Sequence, residues 1–193
     1  DPVHNICAHD LWFYDITANT TTWVMTLPQQ IGSTFPTPFA CGYRGSVANT
    51  KTKLWTYKDF EPYGTTSFKG IIEYDIDPTD PTILTHSRDI DILPLLGPVT
   101  SFNHVNTTFL TAINNKTLII SKKDLAGTTS SHTMVISLDI HPVSGPVATD
   151  KFVIPFPYSQ GDALFLPSES ALFVSYEGDA IRKYDWISGA LLS

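Results

Sequence analysis

The chain has 193 residues, of which 42% are hydrophobic and 16% are charged, so it can form a packed core and is not expected to be wholly disordered. It carries 12 Lys and Arg against 19 Asp and Glu, and no basic run is longer than the pair Lys122-Lys123. A nucleic-acid partner is therefore disfavoured, because phosphate binding needs a concentrated basic face. No apolar window approaches the roughly eighteen residues of a membrane-spanning helix.

The N-terminal residue and three glycosylation sequons indicate an extracellular, secreted protein. The chain begins at Asp1, as it would after removal of a signal peptide or excision from a longer chain. Three Asn-x-Thr sequons without proline predict N-linked glycans at Asn19, Asn106 and Asn115.

The two cysteines, Cys7 and Cys41, are predicted to form a disulfide bond, as suits an even count in a secreted chain. The bond would close a loop of about 35 residues and contribute roughly 3 to 4 kcal/mol. The alternative is a pair of buried thiols.

Short apolar runs punctuated by Pro, Gly and Thr predict an all-β fold, because no window has the apolar periodicity of a helix. The first unit has strands at Leu11 to Ile16 and Thr22 to Leu27, with Val3 to Cys7 as a further candidate. Four strands are predicted in the second unit, at Phe39 to Arg44, Lys53 to Lys58, Gly70 to Ile76 and Ile83 to Ser87. The third unit begins with either Thr100 to Val105 or Thr108 to Ile113 and continues with Thr117 to Lys122, Thr133 to Ile140 and Val147 to Val153. The fourth contains Ala163 to Leu166, Ala171 to Tyr176, Ala180 to Trp186 and Ala190 to Leu192.

An aspartate recurs behind an apolar run in each unit, at Asp15, Asp75, Asp139 and Asp185, with spacings of 60, 64 and 46 residues. Repeats of about 40 to 50 residues with four strands each are typical of β-propeller blades. We therefore predict a single β-propeller-like domain of about four blades, in units of approximately 1–38, 39–90, 91–153 and 154–193, or a fragment of a larger propeller. The aspartates are expected to cap the turns between strands with a side-chain oxygen.

The first unit also carries a family resemblance. Leu11-Trp12-Phe13-Tyr14-Asp15 followed by Thr22-Trp23 resembles the second half of a kelch repeat. The last unit, from Gly178 to Trp186 with Gly189, looks like the hairpin shared by many propellers. The glycine doublet of kelch repeats is absent from the sequence, so the resemblance implies a β-propeller in general and not the kelch family.

The first predicted blade has fewer strands than the others. The missing partner could come from sequence outside this chain, from a neighbouring molecule, or from Val3 to Cys7 in a closed four-bladed ring. An unpaired blade edge is a template for strand addition, which predicts a protein partner or copies of the same chain there.

No pattern of catalytic residues emerges, and no catalytic residue, metal ligand or cofactor is predicted. Asp75, Asp77 and Asp80 resemble part of a calcium loop but lack its glycine and distal glutamate, so they predict a turn. Asp89 and Asp91 are expected at a solvated edge. The histidines have no ligand partners at zinc-type spacing and are expected at the surface or in turns; they are His4, His9, His86, His104, His132 and His141.

Tryptophan placement bears on the choice of function. Trp12 and Trp186 lie within the repeat pattern and are expected to be buried between blades, and Trp55 is left open. The sequence favours a secreted, N-glycosylated propeller module for protein interaction or self-assembly, as in an extracellular filament or matrix. The alternatives are a propeller enzyme acting on glycans or peptides at a central channel, and a sugar-binding lectin.

Overall fold

The structure is a computed structural model that describes residues 10–26, 47–58, 70–92, 95, 109–123, 133–140, 145–154, 163–175 and 181–193. Within these ranges the chain forms thirteen strands and one short 3-10 helix, Pro167–Glu169. The prediction of an all-β fold is confirmed. The strands make four small antiparallel sheets that follow one another along the chain.

Within each sheet, every strand pairs with the next one in sequence. The first sheet is a hairpin of β1 (Asp10–Asp15) and β2 (Thr20–Thr26). The second sheet contains β3 (Val47–Asn49), β4 (Lys53–Lys58), β5 (Gly70–Ile76) and β6 (Leu84–Asp91). The third contains β7 (Leu110–Ala112), β8 (Thr117–Lys123), β9 (Thr133–Asp139) and β10 (Val147–Ile154). The last contains β11 (Ala163–Leu166), β12 (Ala171–Val174) and β13 (Arg182–Asp185).

Most strands lie where the sequence predicts them, and β4, β5 and β11 match their predicted bounds. Of the two alternatives for the first strand of the third sheet, β7 lies inside Thr108 to Ile113. The strand β3 was not predicted. The predicted strands Val3 to Cys7 and Phe39 to Arg44 lie outside the described residues.

The predicted fourth strand of the last sheet, Ala190 to Leu192, is wrong as a full strand. Only an isolated bridge joins Leu191 to Tyr184. Backbone hydrogen bonds nevertheless continue the ladder, since Lys183 N donates to Ser193 O and Leu192 N donates to Lys183 O, both at 2.8 Å. The segment therefore lies along β13 as its edge but is too short to count as a strand.

The sheets pack face to face in chain order, because alternate side chains of each strand point to opposite faces. Leu11 of the first hairpin packs against the cluster that contains Ile72 of the second sheet. On the other face of that sheet, Ile71 shares a cluster with Leu138 of the third. A third cluster joins the far face of the third sheet to the last one, and includes Phe109, Ile119, Leu172 and Trp186.

The two middle sheets are consequently covered on both faces, and β5 has five consecutive buried residues from Gly70 to Tyr74. Fully burying an aliphatic side chain such as that of Ile71 or Ile72 contributes about 1.5 to 3 kcal/mol. The first strands of the three larger sheets also touch in sequence: β3 contacts β7, and β7 contacts β11.

Candidate interaction surfaces

A buried carboxylate lies between the second and third sheets. Glu73 is in the centre of β5, and its side chain is only 4% exposed. Its Oε1 accepts a hydrogen bond from Lys53 Nζ at 2.9 Å. Its Oε2 accepts from Trp55 Nε1 at 2.9 Å and from Arg88 Nη2 at 3.2 Å. The cross-strand register places all three donors beside it, since Glu73 pairs with Trp55 on one side and with Arg88 on the other.

These contacts keep Glu73 ionised. Burial alone would raise the pKa of this carboxyl, but the hydrogen bonds from Lys53, Trp55 and Arg88 outweigh burial and hold the pKa below its ordinary value. A general acid or base needs a pKa near the working pH, so this arrangement suits a structural anchor. This buried carboxylate was not predicted from the sequence, although an acidic residue within the apolar run Ile71-Ile72-Glu73-Tyr74 was the available signal.

Two of the four recurring aspartates cap turns as predicted. Asp15 Oδ1 accepts from the backbone N–H groups of Thr17 and Ala18, at 2.8 and 3.0 Å. Asp185 Oδ1 accepts from the N–H groups of Ile187 and Ser188, at 3.1 and 2.6 Å. The shared geometry indicates that the β1–β2 turn and the turn after β13 are built alike.

The predicted role of Asp75 is wrong, because its carboxylate forms an ion pair of 2.7 Å with Lys53 instead of capping a turn. Asp77 caps that turn, with Oδ1 accepting from Thr79 N at 2.7 Å and from Asp80 N at 3.1 Å. Asp80 caps the following bend through Thr82. These bonds fit the predicted plain turn. Asp139 ends β9, and residues 141–144, which would form the turn after it, lie outside the described ranges.

The structure describes two of the three predicted glycosylation sites, Asn19 and Asn115. Their side-chain amides make different hydrogen bonds. Asn19 is exposed in the β1–β2 turn with a φ of 53°, and its Oδ1 accepts from Tyr14 OH at 2.6 Å. Asn115 uses both amide atoms: Oδ1 accepts from Thr50 Oγ1 at 2.5 Å, and Nδ2 donates to Thr52 Oγ1 at 3.0 Å. Asn115 thereby links a turn of the third sheet to a turn of the second. The predicted glycan at Asn106 and the predicted Cys7–Cys41 disulfide lie outside the described residues.

One face of the first hairpin carries exposed aromatic rings, which we call the aromatic face: Trp12, Tyr14 and Trp23. They are 57%, 52% and 51% exposed. Trp12 and Trp23 are direct cross-strand partners, and Trp23 Nε1 donates to Asp10 Oδ1 at 3.4 Å. The expectation that Trp12 is buried is wrong, because the hairpin packs on the second sheet through its opposite face, which bears Leu11 and Met25.

The other tryptophans are buried. Trp186 is buried as expected, in the cluster between the third and last sheets. Its ring lies in edge contact with Phe165, with centroids 5.5 Å apart. Trp55, which the sequence left open, is fully enclosed between the second and third sheets.

A second group of exposed apolar side chains lies on or beside the last sheet. Its members are Leu164, Ile181, Ile187, Leu191 and Leu192, each more than half exposed. Twelve large hydrophobic side chains are exposed among the described residues. Five of them belong to this group and four to the first hairpin. Exposed hydrophobic side chains thus concentrate at the two ends of the sheet stack.

Within the described ranges, no three His, Cys, Asp or Glu side chains are grouped so as to hold a metal ion. His86 is exposed and lies 2.8 Å from Asp89 between Nε2 and Oδ1. Asp89 and Asp91 are both exposed on β6, at a solvated edge as expected.

No helix in the described part of the chain is both long and apolar enough to cross a membrane. Comparison of the chain with protein-family models, with curated proteins and with solved structures gave no match.

Proposed function

We propose that this chain is a secreted, N-glycosylated β-propeller module that acts in protein interaction or self-assembly, as a subunit of an extracellular filament or matrix. The observation that carries the proposal is the concentration of exposed apolar side chains at the two ends of a stack whose middle sheets are covered on both faces. Exposed apolar patches of this kind mark interaction sites on soluble proteins.

The propeller part of the proposal is supported by the order and contacts of the sheets. Each sheet is an antiparallel meander that follows the previous one in sequence, and neighbouring sheets pack face to face. In a propeller blade the first strand is the innermost. Contacts of β7 with both β3 and β11 fit an arrangement in which these strands line a common axis.

The assembly part is best located at the last sheet. Residues 190–193 lie along β13 as its edge, and they expose Leu191 and Leu192. An apolar edge of this kind can pair with a strand of another molecule, since its outward backbone groups form a template for addition. The partner proposed for this edge is a second copy of the chain.

Light scattering coupled to size-exclusion chromatography over a wide concentration range tests the proposal. The wild-type mass should rise with concentration, and the double variant Leu191→Ser, Leu192→Ser should stay monomeric. The matched control is Val147→Ser, Val153→Ser, because these valines are also exposed but lie on β10; it should associate like the wild type. A wild-type protein that is monomeric at every concentration would refute self-assembly.

A lectin is the second candidate function, and the aromatic face favours it. Trp12, Tyr14 and Trp23 are about half exposed, and the Asp10 carboxylate lies beside Trp23. Flat aromatic rings next to a polar group can stack on a sugar ring and hydrogen-bond to its hydroxyls. A glycan array probed with the wild type and with Trp12→Ala separates the two candidates, since only a lectin requires specific array binding that the substitution removes.

A further inference from the structure

The first hairpin joins a glycosylation sequon directly to an exposed aromatic surface. Asn19, of the sequon Asn19-Thr20-Thr21, accepts a hydrogen bond of 2.6 Å from the hydroxyl of Tyr14. Tyr14 in turn belongs to the aromatic face with Trp12 and Trp23. We infer that the N-linked glycan on Asn19 packs over the aromatic face and shields it. The inference rests on the secreted, glycosylated state proposed above.

The hydrogen bond of Asn19 is compatible with glycosylation. The oligosaccharide is transferred from a polyprenol diphosphate donor: the bond between sugar C1 and the diphosphate oxygen breaks, the bond from C1 to Nδ2 forms, and one amide proton is lost. Tyr14 OH binds Oδ1 and not Nδ2, so the bond persists after the transfer. It then holds the amide plane, and hence the first sugar, next to the phenol ring.

The position and backbone of Asn19 favour the same outcome. The residue has a left-handed φ of 53°, which Asn tolerates better than most residues, and it is exposed at the tip of the hairpin. The β1–β2 register pairs Tyr14 with Thr21 and Trp12 with Trp23. A glycan that turns back from the tip therefore passes over Tyr14 first and the two indoles next.

The chemistry of the two surfaces is complementary. A pyranose ring presents a face of C–H groups, and the face of an aromatic ring is apolar and electron-rich, so the two pack together while the sugar hydroxyls remain in water. Aromatic rings that are about half exposed have free area for such packing. A solubilising glycan on this face also accounts for a large exposed aromatic surface on a secreted protein.

Asn115 supplies an internal comparison. The open groove around it is lined by polar residues, namely Thr50, Lys51, Thr52, Asn114 and Lys116. The Nδ2 atom that would carry a glycan there donates to Thr52 Oγ1. A glycan on Asn115 would therefore cover no tryptophan.

The test uses protein secreted from glycosylating eukaryotic cells, with glycan occupancy measured by mass spectrometry. Thr21→Val removes the Asn19 sequon but keeps a β-branched residue in β2 and leaves the bond between Tyr14 and Asn19 in place. We expect Thr21→Val to shift tryptophan emission to longer wavelength and to lower Tm by about 2 to 4 °C. Trp12 and Trp23 report the change, because Trp55 and Trp186 are buried.

Two further variants make the result specific. The matched control, Thr117→Val, removes the Asn115 sequon and should leave the emission maximum unchanged. Tyr14→Ser should shift emission in the wild-type background and have a much smaller effect in the Thr21→Val background, since the coupling between glycan and ring is then already lost.

The outcomes separate this inference from the proposed function. Occupancy of Asn19 with identical emission and Tm in the wild type and Thr21→Val would overturn the inference and leave a glycosylated module. Absence of glycan from every sequon would overturn both. Free chitobiose should shift the emission of Thr21→Val but not of the glycosylated wild type; an equal shift in both would overturn shielding by the chain's own glycan in favour of a lectin.

Discussion

Arg88 lies on β6 of the second sheet and Ile140 directly follows β9 of the third, and Arg88 Nη2 donates a hydrogen bond of 2.9 Å to the backbone carbonyl oxygen of Ile140. The same nitrogen donates to Glu73 Oε2 at 3.2 Å. One guanidinium therefore connects a buried carboxylate of the second sheet to the backbone of the third. Since the Arg88 side chain is partly exposed and that of Glu73 is not, the guanidinium lies between the carboxylate and solvent at the margin of the interface.

Arg88→Met should lower the free energy of unfolding by about 2 to 4 kcal/mol, because Glu73 and the Ile140 carbonyl each lose a donor in a buried setting. Denaturant unfolding followed by circular dichroism measures the loss. The control is Lys51→Met, which removes an exposed cation from the turn between β3 and β4 and should change stability by less than about 0.5 kcal/mol. Equal effects of the two substitutions would contradict a structural role for the Arg88 contacts.

The lowered pKa of Glu73 predicts a loss of stability in acid. Hydrogen bonds from Lys53, Trp55 and Arg88 keep that pKa below its ordinary 4.5 despite burial. A depressed folded-state pKa stabilises the fold above the unfolded-state pKa, and this contribution disappears as pH falls through the folded value. Glu73→Gln should therefore be less stable than the wild type at pH 7, and the difference should shrink below pH 4.5. Urea unfolding at a series of pH values measures both curves; parallel curves would contradict the prediction.

Asp185 should stabilise the turn after β13 mainly because its side-chain oxygen accepts hydrogen bonds. Its Oδ1 accepts from two backbone N–H groups and from Ser188 Oγ at 2.7 Å, which lowers its pKa. Asp185→Ala should lower the free energy of unfolding, because the turn loses its acceptor. Asp185→Asn keeps an acceptor oxygen and should cost clearly less. Thermal unfolding distinguishes the two variants, and equal losses would count against the capping role.

Gly189 and Gly145 form a matched pair for testing the contact between the last two sheets. Both have positive φ, 72° and 74°, but a Cβ on Gly189 would lie 2.5 Å from Phe152 Cβ, whereas one on Gly145 would meet no atom within 4 Å. Gly145→Ala should cost about 1 to 2 kcal/mol from backbone strain alone. Gly189→Ala should cost a further 1 to 3 kcal/mol, roughly, from overpacking against Phe152.

The free energies of unfolding of these two variants, measured in urea, decide the point. If the losses are equal, the close approach of the turn after β13 to Phe152 does not matter to stability. Phe152 also stacks on Tyr184 with ring centroids 6.0 Å apart. A larger loss in Gly189→Ala should therefore be accompanied by a change in near-ultraviolet circular dichroism, which reports the packing of these rings.

Local patterns in the sequence predict most of the described strands and some of the turns. The bounds of β4 and β5 follow from uninterrupted β-prone runs, and the caps at Asp15 and Asp185 follow from an aspartate behind an apolar strand. The sequence offers two aspartates that could cap this turn, Asp75 and Asp77, two positions apart. Only the structure, in which Asp75 pairs with Lys53, shows that Asp77 is the cap. Sequence proximity does not decide such competition.

Contacts between sheets were harder to predict. Alternation along β1 shows that Trp12 and Leu11 point to opposite faces, but it does not show which face meets a neighbouring sheet. The same limit applies to Glu73: its partners Lys53 and Arg88 are distant in sequence, and the strand register brings them together. Burial depends on the whole stack, so Trp12 was assigned to the wrong face and Glu73 was overlooked.

The bridges between the second and third sheets have a mechanical consequence. Arg88 bonds to the Ile140 carbonyl near one part of the interface, and Asn115 bonds to Thr50 and Thr52 at another. The first hairpin rests on the second sheet through apolar contacts of Leu11 and Met25. Under a pulling force applied to the two ends of the chain, the hairpin should detach at low load while the two middle sheets resist as one unit. A tethered molecule should then lengthen first by releasing the hairpin, before the two middle sheets unfold.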